Sequence, residues 1–398
     1  MSNKDLQEYI QQKKEFYDIL IDFLQNEDED NINNADELYD LLQNTILKED
    51  IEDTKTVLRV ILKISNNHHR NPNFDKKIEQ ILSLFIDQLK QNFSNSEIFE
   101  LFKSNKRILL FLIKKEIIKV DIPIVNYMPS RVTYCEFFYP EIKNFLNEND
   151  RKRIEEKLIK IDSNILTYFD EYRKTGDNNS YISSLIRQDL IDDFVAYFNQ
   201  ANISLSTTKI ERSVFETNSF LLKQKEVSLI QYASFFGSVQ IFKFLQFNGV
   251  ELNPSLWFYA IHGQNPEIIH ILEDNHIVPS DKTYEECLIE SIKCHHNAIA
   301  NYIENNLSPK KIFKKRRIKF RVISNFSEKK KFSGIRYYNY SFFPEYLDKI
   351  FPFFYFNKYN HDNIVKFYFE TKKDHIEKII HLMIQNQSIL WNSIFLFY

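Results

Sequence analysis

The sequence is poor in the residues that make tight turns, phosphate-binding loops and disulfide bridges. Its 398 residues include only 5 glycines and 10 prolines, which are too few for a many-stranded sandwich or barrel and too few for glycine-rich nucleotide loops. The 3 cysteines form an odd and sparse set that fits a reducing compartment better than a disulfide framework. A helical fold with free thiols is therefore expected.

Two further absences bear on the cellular location of the chain. No apolar run reaches the roughly 20 residues that span a bilayer, and the polar stretch from Met1 to Tyr9 lacks the apolar segment of a signal peptide. The formal charge of -3 gives no overall attraction to nucleic acid or to an anionic membrane. We therefore expect a cytoplasmic protein without membrane contacts, with the nucleus as the alternative location.

The chain is rich in apolar and aromatic residues. Hydrophobic residues make up 43% of it and aromatic residues 15%, enough for a large core. Between Leu6 and Leu24 apolar residues recur at intervals of three and four, which predicts an amphipathic helix. The same spacing predicts helices at 35–47, 57–64 and 78–89. We assign residues 1–92 to an N-terminal helical region without an internal repeat.

A repeat becomes visible after residue 180. The six residues from Ser228 to Ala233 align with those from Ser255 to Ala260, 27 residues further on, and share Ser, Leu, Tyr and Ala. Apolar residues follow each Ala after eight and twelve positions, so each unit is predicted to contain two short helices and a tight turn. A third unit has Ser291 in place of the Ala. Weaker units are centred on Ile186, Phe194 and Phe198, and on Phe356, Ile364 and Tyr368.

These units resemble the ankyrin repeat, a two-helix unit of about 33 residues closed by a loop. Gly237 stands between the two helices, and Gly249 stands in the loop after the second helix, where a positive φ ends the helix. Pro254 and Leu256 match the residues that open the next ankyrin helix, but Trp257 replaces the usual histidine. Apolar packing is therefore expected to carry more of the stability.

Residues 181–307 are similar to the divergent ankyrin-type proteins that form very large families in some unicellular protists. The likeness is carried by the stretches 215–220, 232–238, 282–287 and 293–297. It implies an ankyrin fold and a binding role, and it implies no catalytic activity.

We therefore predict an all-α protein, an ankyrin-type solenoid of stacked helix-turn-helix units preceded by the N-terminal helical region. The segments that follow residue 92 are divergent ankyrin-like units at 93–180, ankyrin repeats at 181–308, a basic and aromatic irregular insert at 309–342, and a degenerate repeat with an incomplete C-terminal unit at 343–398. In segment 93–180, second helices are expected at Ile108 with Leu112 and at Ile142 with Leu146. One further degenerate unit fits between Ser291 and Phe356.

No motif of a familiar active site occurs. The sequence contains no nucleophile elbow, Walker loop, His-Glu-x-x-His helix or glycine-rich dinucleotide turn. Cys287, Cys294, His295 and His296 are its one concentration of Cys and His, but they do not form the two close ligand pairs of a zinc site. We interpret His295 and His296 as an interhelical turn, and His68 with His69 as an exposed loop. We predict no enzyme, no metal and no cofactor.

The most unusual local feature of the sequence is a run of basic residues. Eight of the twelve residues from Lys310 to Arg321 are Lys or Arg, and none is acidic. Three interpretations stay open: a solvated insert, an import signal or patch for an acidic partner, or a contact to nucleic acid. The nucleic-acid or import interpretation depends most on four consecutive residues, Lys314, Lys315, Arg316 and Arg317.

The favoured function is a non-catalytic ankyrin-repeat protein that mediates protein–protein interaction as a scaffold or adaptor. In such arrays the loop tips and the first helices form a broad contact surface. By analogy, the expected partner-binding residues are Gln231, Asn248, Val250, Glu251, Phe258 and His276. The alternative is a nuclear or nucleic-acid-associated protein acting through residues 310–321.

Overall fold

A computed structural model describes residues 3–26, 38–42, 51–68, 73–201, 203–308, 330, 332–343 and 355–371. These residues are mostly helical, which confirms the all-α class. The basic run 310–321 and the apolar end 389–398 lie outside the described residues. None of the described helices is long and apolar enough to cross a membrane.

The helices have the following bounds. They are α1 (Asn3–Gln25), α2 (Ile51–Asn67), α3 (Phe74–Leu84), α4 (Ile86–Asn92), α5 (Asn95–Phe102), α6 (Lys106–Lys114), α7 (Ile122–Tyr127), α8 (Tyr134–Phe137), α9 (Tyr139–Ile142), α10 (Glu148–Ile161), α11 (Phe169–Lys174), α12 (Tyr181–Arg187), α13 (Ile191–Ala201), α14 (Leu229–Phe236), α15 (Val239–Phe247), α16 (Leu256–Gly263), α17 (Pro266–Asp274), α18 (Glu285–Lys293), α19 (Asn297–Tyr302) and α20 (Asp362–Thr371). Three short helices are added at residues 38–42, 332–337 and 355–358.

The N-terminal helices share one hydrophobic core with residues near the other end of the chain. This core contains Phe16 and Leu20 of α1, Leu58 of α2, and also Tyr338 and Phe356. It runs without a break past residue 92 as far as Ile142. The predicted helix at 78–89 is two helices, α3 and α4, which meet at Phe85.

A second core lies between helix pairs that stack in a row. The pairs are α12 with α13, α14 with α15, α16 with α17, and α18 with α19. The first helices α12, α14, α16 and α18 contact one another in chain order, as do the second helices α13, α15 and α17. Since α16 lies in the middle of the row, it is buried on nearly all sides: of its eight residues only Phe258 is even partly exposed.

The turns inside successive pairs share one backbone geometry. The residue that ends the first helix region adopts a left-handed φ at Asp189 (51°), Gly237 (70°), Gln264 (54°) and His295 (61°). Gly237 lies in the turn between the two helices, as the sequence predicts. In three of these turns the next side chain donates to the preceding turn: Ser238 Oγ to Ile186 O, Asn265 Nδ2 to Gly237 O, and His296 Nδ1 to Ile261 O. These hydrogen bonds link neighbouring pairs along the turn edge of the row.

The same geometry continues beyond residue 330. Tyr338 has a φ of 59°, and the next residue, Asn339, donates from Nδ2 to Ile292 O at 2.9 Å. Asn360 has a φ of 60°, and His361 donates from Nε2 to Ile335 O at 2.7 Å. The described part of segment 309–342 is therefore a short helical unit and not irregular chain, and it lies where the spacing predicts one degenerate unit.

Segment 93–180 matches the expected units only at its start. Ile108 and Leu112 lie in α6, which pairs with α5. Ile142 ends the four-residue helix α9, and Leu146 is extended, so the second helix expected there is absent from these described residues. The reason is local: the Asn147 side chain accepts from Asp150 N and starts α10, which ends any helix before it.

The long connection from α13 to α14 covers the first helices. It contains a two-stranded antiparallel sheet of β1 (Lys209–Glu211) and β2 (Glu226–Ser228). Between the strands, Phe220 stacks on Phe235 of α14 and packs edge-on against Tyr259 of α16, with centroids 5.8 and 5.1 Å apart. Lys106 of α6 donates to Glu216 O at 2.9 Å, which joins this connection to the N-terminal part.

Candidate functional site

The row of helix pairs has two edges, and they differ in what covers them. The turn edge carries the turns at Gly237, Gln264 and His295, and α1 and the end of α2 contact it at His295 and His296. The opposite edge carries the loops from each second helix to the next first helix, and we call it the loop edge (residues 247–255 and 274–284). The chain's own residues cover the turn edge at His295 and His296 and part of the first-helix face at Phe220, whereas residues of the loop edge are exposed. The loop edge is therefore the candidate surface.

The loop edge has two tips, at Gly249 and His276, which are 27 residues apart in the sequence and have the same backbone geometry. Gly249 has a φ of 79°, as the sequence predicts, and Val250 N donates to Leu245 O at 3.0 Å. His276 has a φ of 55°, and Ile277 N donates to Leu272 O at 2.9 Å. This helix-ending pattern turns the chain sharply and presents the residues around it to solvent.

The predicted partner-binding residues fall into two groups. Asn248, Glu251 and His276 are exposed on the loop edge, where a partner can reach them. Val250 is only 9% exposed and belongs to the core, so its placement on a contact surface is corrected: the loop folds it inward to cover Leu245 and its neighbours.

Gln231 and Phe258 of the predicted set lie on first helices and are only partly exposed. Both ends of the Gln231 amide form hydrogen bonds inside the protein. Its Oε1 accepts from Ser228 N at 2.9 Å as part of a capping box, and its Nε2 donates to Ser255 Oγ at 2.9 Å. The repeated Ser that aligns the two units is therefore tied to helix capping and to the contact between pairs.

Phe247 is the feature of this edge that sequence reasoning missed. It is the last residue of α15 and is 91% exposed, the largest exposure among the exposed large hydrophobic residues of the described chain. Val278, 44% exposed, lies on the next loop. A signal was present: the position 27 residues after Phe247 is Asp274, so an apolar residue stands where the aligned unit is charged.

The histidines of the last full turn are buried, not solvated. His295 and His296 lie between α18 and α19 as predicted, with 0% and 1% of their surface exposed. The Tyr17 hydroxyl lies 3.0 Å from His295 Nδ1, and Asn297 Nδ2 donates to the same hydroxyl at 3.3 Å. The hydroxyl hydrogen of Tyr17 is therefore free to point at His295. Burial, with smaller electrostatic contributions from His68 and Lys63, holds the pKa of His295 well below its usual value.

The interpretation of His68 as part of an exposed loop is wrong. His68 is 3% exposed, and its Nδ1 lies 2.9 Å from His296 Nε2. Because Ile261 O can only accept, His296 carries its proton on Nδ1, and His68 donates to the remaining nitrogen. A polar-looking sequence is buried here because α2 ends against a turn more than 200 residues away, which no local pattern reveals.

One group of side chains has the composition of a metal site. The ligand atoms of His262, Glu290 and Cys294 lie within 4.8 Å of one another. His262 Nε2 is 2.8 Å from Glu290 Oε1, and Lys293 Nζ donates to the same oxygen at 2.5 Å. Burial raises the pKa of the Cys294 thiol well above its usual value, so the thiol stays neutral.

These contacts do not fit a set of three ligands directed at one ion. Lys293 places an ammonium on the carboxylate that would face the cation. The Cys294 sulfur is 3.5 and 3.6 Å from the two nitrogens of His262, so it points along the lone pair of neither. Hydrogen bonds from His262 and Lys293 lower the pKa of Glu290 to about 2 despite its burial. We interpret the group as an ion pair of Glu290 and Lys293 within α18, to which His262 of α16 is hydrogen-bonded.

The comparisons with known proteins add no relative. Comparison of the chain with protein-family models, with curated proteins and with solved structures gives no match. The functional argument therefore depends on the residues of this chain alone.

Proposed function

We propose that this chain is a non-catalytic, ankyrin-type repeat protein that binds a protein partner through its loop edge. The single observation that carries the proposal is the nearly complete exposure of Phe247. Fully burying a Phe side chain is worth about 1.5–3 kcal/mol, a gain that the free protein leaves unused. A partner that covers Phe247 would realise it.

The stacking of the helix pairs supports the ankyrin-type assignment. The first and second helices each form a row, and the aligned units are 27 and 31 residues apart, close to the period of ankyrin repeats. Left-handed residues recur at every turn, and Gly237 and Gly249 occupy the two positions that the resemblance gives to glycine. Repeat arrays of this kind generally work as binding surfaces.

The surroundings of Phe247 support a protein partner. Exposed polar side chains flank it on the loop edge, at Asn248, Glu251 and His276. On the second helices, Lys243 and Glu267 form an exposed ion pair between neighbouring pairs. An apolar residue surrounded by polar ones is the usual composition of a protein contact surface, in which a few aromatic residues supply most of the binding energy.

Phe247→Asp should weaken binding of the partner about 10- to 100-fold, because a charge cannot enter the pocket that the ring would fill. The partner is first captured from the native cell with the wild-type chain, then purified, and its affinity is measured by calorimetry. Phe145→Asp is the matched control, since Phe145 is also exposed (48%) but lies far along the chain from the loop edge.

Both variants should unfold at the wild-type temperature because neither ring is buried. A purified partner that binds Phe247→Asp as tightly as the wild type would contradict the proposed surface. Equal weakening by Phe145→Asp would do the same, since it would show a general effect of added negative charge.

The nuclear or nucleic-acid-associated alternative rests on residues 310–321, which lie outside the described residues. Its support comes from the sequence, because this run contains eight Lys or Arg residues and no acidic residue. Replacing Lys314, Lys315, Arg316 and Arg317 by Ser separates the two proposals, because this change should abolish oligonucleotide binding at low salt and leave the loop edge intact.

A further inference from the structure

A cavity of about 490 Å³ lies where α2 meets α5 and the segments near residues 336 and 358. Five cationic side chains line it, from Lys55, Arg59, Lys63, Arg336 and Lys358, against the two carboxylates of Glu97 and Glu100. Three distant parts of the sequence therefore bring like charges together in one cavity. Such an arrangement costs free energy unless an anion compensates it.

Two of the cations have partners within the protein. Lys55 Nζ lies 2.6 Å from Glu52, and Arg59 lies 3.2 Å from Asp362 and donates to Asn360 O at 2.8 Å. These contacts fix both side chains at the wall of the cavity.

The two carboxylates are also engaged elsewhere. Glu97 accepts from the backbone and hydroxyl of Ser94 in a capping box, at 2.9 and 2.7 Å. Glu100 forms an ion pair with Lys103 at 2.5 Å. Neither carboxylate makes a salt bridge to a cation of the cavity within the described residues.

The other three cations have no carboxylate partner in the described chain. Lys63 is partly buried, and this burial, together with the positive charges of Arg336 and Arg59, lowers its pKa. Arg336 and Lys358 are exposed and lie over aromatic rings, 5.1 Å from the Tyr337 centroid and 5.6 Å from the Tyr359 centroid. An anion that enters between Lys63 and the two exposed cations would meet them without displacing an existing ion pair.

We propose that this cavity binds the phosphate group of a small phosphorylated molecule, with Lys63 inside it and Arg336 and Lys358 at its mouth. Phosphate fits because it accepts several charge-assisted hydrogen bonds at once, and Arg can bind it in a bidentate manner. The volume is within the usual range of small-ligand sites, about 300–1,000 Å³. Leu62, Leu101 and Phe93 supply apolar walls for the remainder of the ligand.

The test uses the full chain with pyrophosphate as the probe, in calorimetry and thermal unfolding at low salt. Pyrophosphate at about 1 mM should raise the unfolding temperature, because a ligand that binds only the folded state stabilises it. Lys63→Met keeps the length of the side chain and removes its charge, and it should weaken pyrophosphate binding about tenfold or more.

Two control measurements distinguish binding of pyrophosphate in the cavity from its general attraction to a basic surface. Lys160→Met removes the same charge from an exposed position at the end of α10 and should leave pyrophosphate binding unchanged. Without the probe, Lys63→Met should be at least as stable as the wild type, because it removes repulsion with Arg336 and Arg59. If Lys63→Met fails to fold, Arg336→Gln at the mouth replaces it and should likewise weaken pyrophosphate binding.

The proposal is overturned if pyrophosphate produces neither heat nor a rise in unfolding temperature with the wild type. It is also overturned if Lys160→Met weakens binding as much as Lys63→Met or Arg336→Gln. Tenfold weaker binding by either cavity variant, with Lys160→Met unchanged, supports it.

Discussion

Gly263→Ala is expected to lower the free energy of unfolding by about 3 kcal/mol or more, the upper end of the cost of overpacking a core. Gly263 is the last residue of α16 and faces α14. A Cβ there would lie 2.1 Å from Ser234 O and 3.0 Å from Gly237 N, both backbone atoms that cannot turn aside. The two first helices would have to separate, and α16 is the central helix of the row. Chemical denaturation followed by circular dichroism measures the loss.

Gly249→Ala is the matched control for this prediction. Gly249 has a φ of 79°, but no atom lies within 4 Å of the position of an added Cβ. Only the left-handed backbone conformation is then penalised, by about 1–2 kcal/mol. The expected order is wild type, Gly249→Ala, Gly263→Ala. A Gly263→Ala protein as stable as Gly249→Ala would show that the helices do not approach as closely as described.

Mild acid should destabilise the protein, because His295 and His361 are buried as neutral rings. Burial lowers the pKa of His361 to about 3 and that of His295 well below its usual value. Below the unfolded pKa of about 6.5, the unfolded chain takes up protons that the folded one refuses, so stability falls as pH falls. Integrated from pH 6.5 to 5, where the unfolded rings become protonated and the folded ones stay neutral, the two histidines together should cost about 3 kcal/mol.

His361→Gln separates titration from the hydrogen bond that His361 makes. The Gln amide can still donate to Ile335 O, but it does not ionise. Stability near pH 7.5 should change little, and the slope of stability with pH between 6.5 and 5 should become shallower by about 1 kcal/mol per unit on average. Denaturant titrations at several pH values measure this slope. An unchanged slope would mean that His361 takes up its proton in the folded protein.

The sequence by itself determined the local architecture. Apolar spacing of three and four residues placed α1 and the helix pairs around Ile241 and Ile268, because the face that a helix buries repeats with its own turn. The small number of glycines made Gly237 and Gly249 informative: Gly237 lies in the expected turn between two helices, and Gly249 has the expected positive φ. Asn248 and Glu251 are exposed on the loop edge because they stand beside such a turn.

The tertiary structure alone decided which surfaces the chain covers and which it leaves open. Tyr17 meets His295 across 278 residues and His68 meets His296 across 228, so sequences that look solvated become buried at the turn edge. The cavity around Lys63 likewise needs Arg336 and Lys358 from the far end of the chain. Periodicity reports only which face of a helix is apolar. It does not report which distant helix covers that face, because packing between elements depends on shape and charge that meet only after folding.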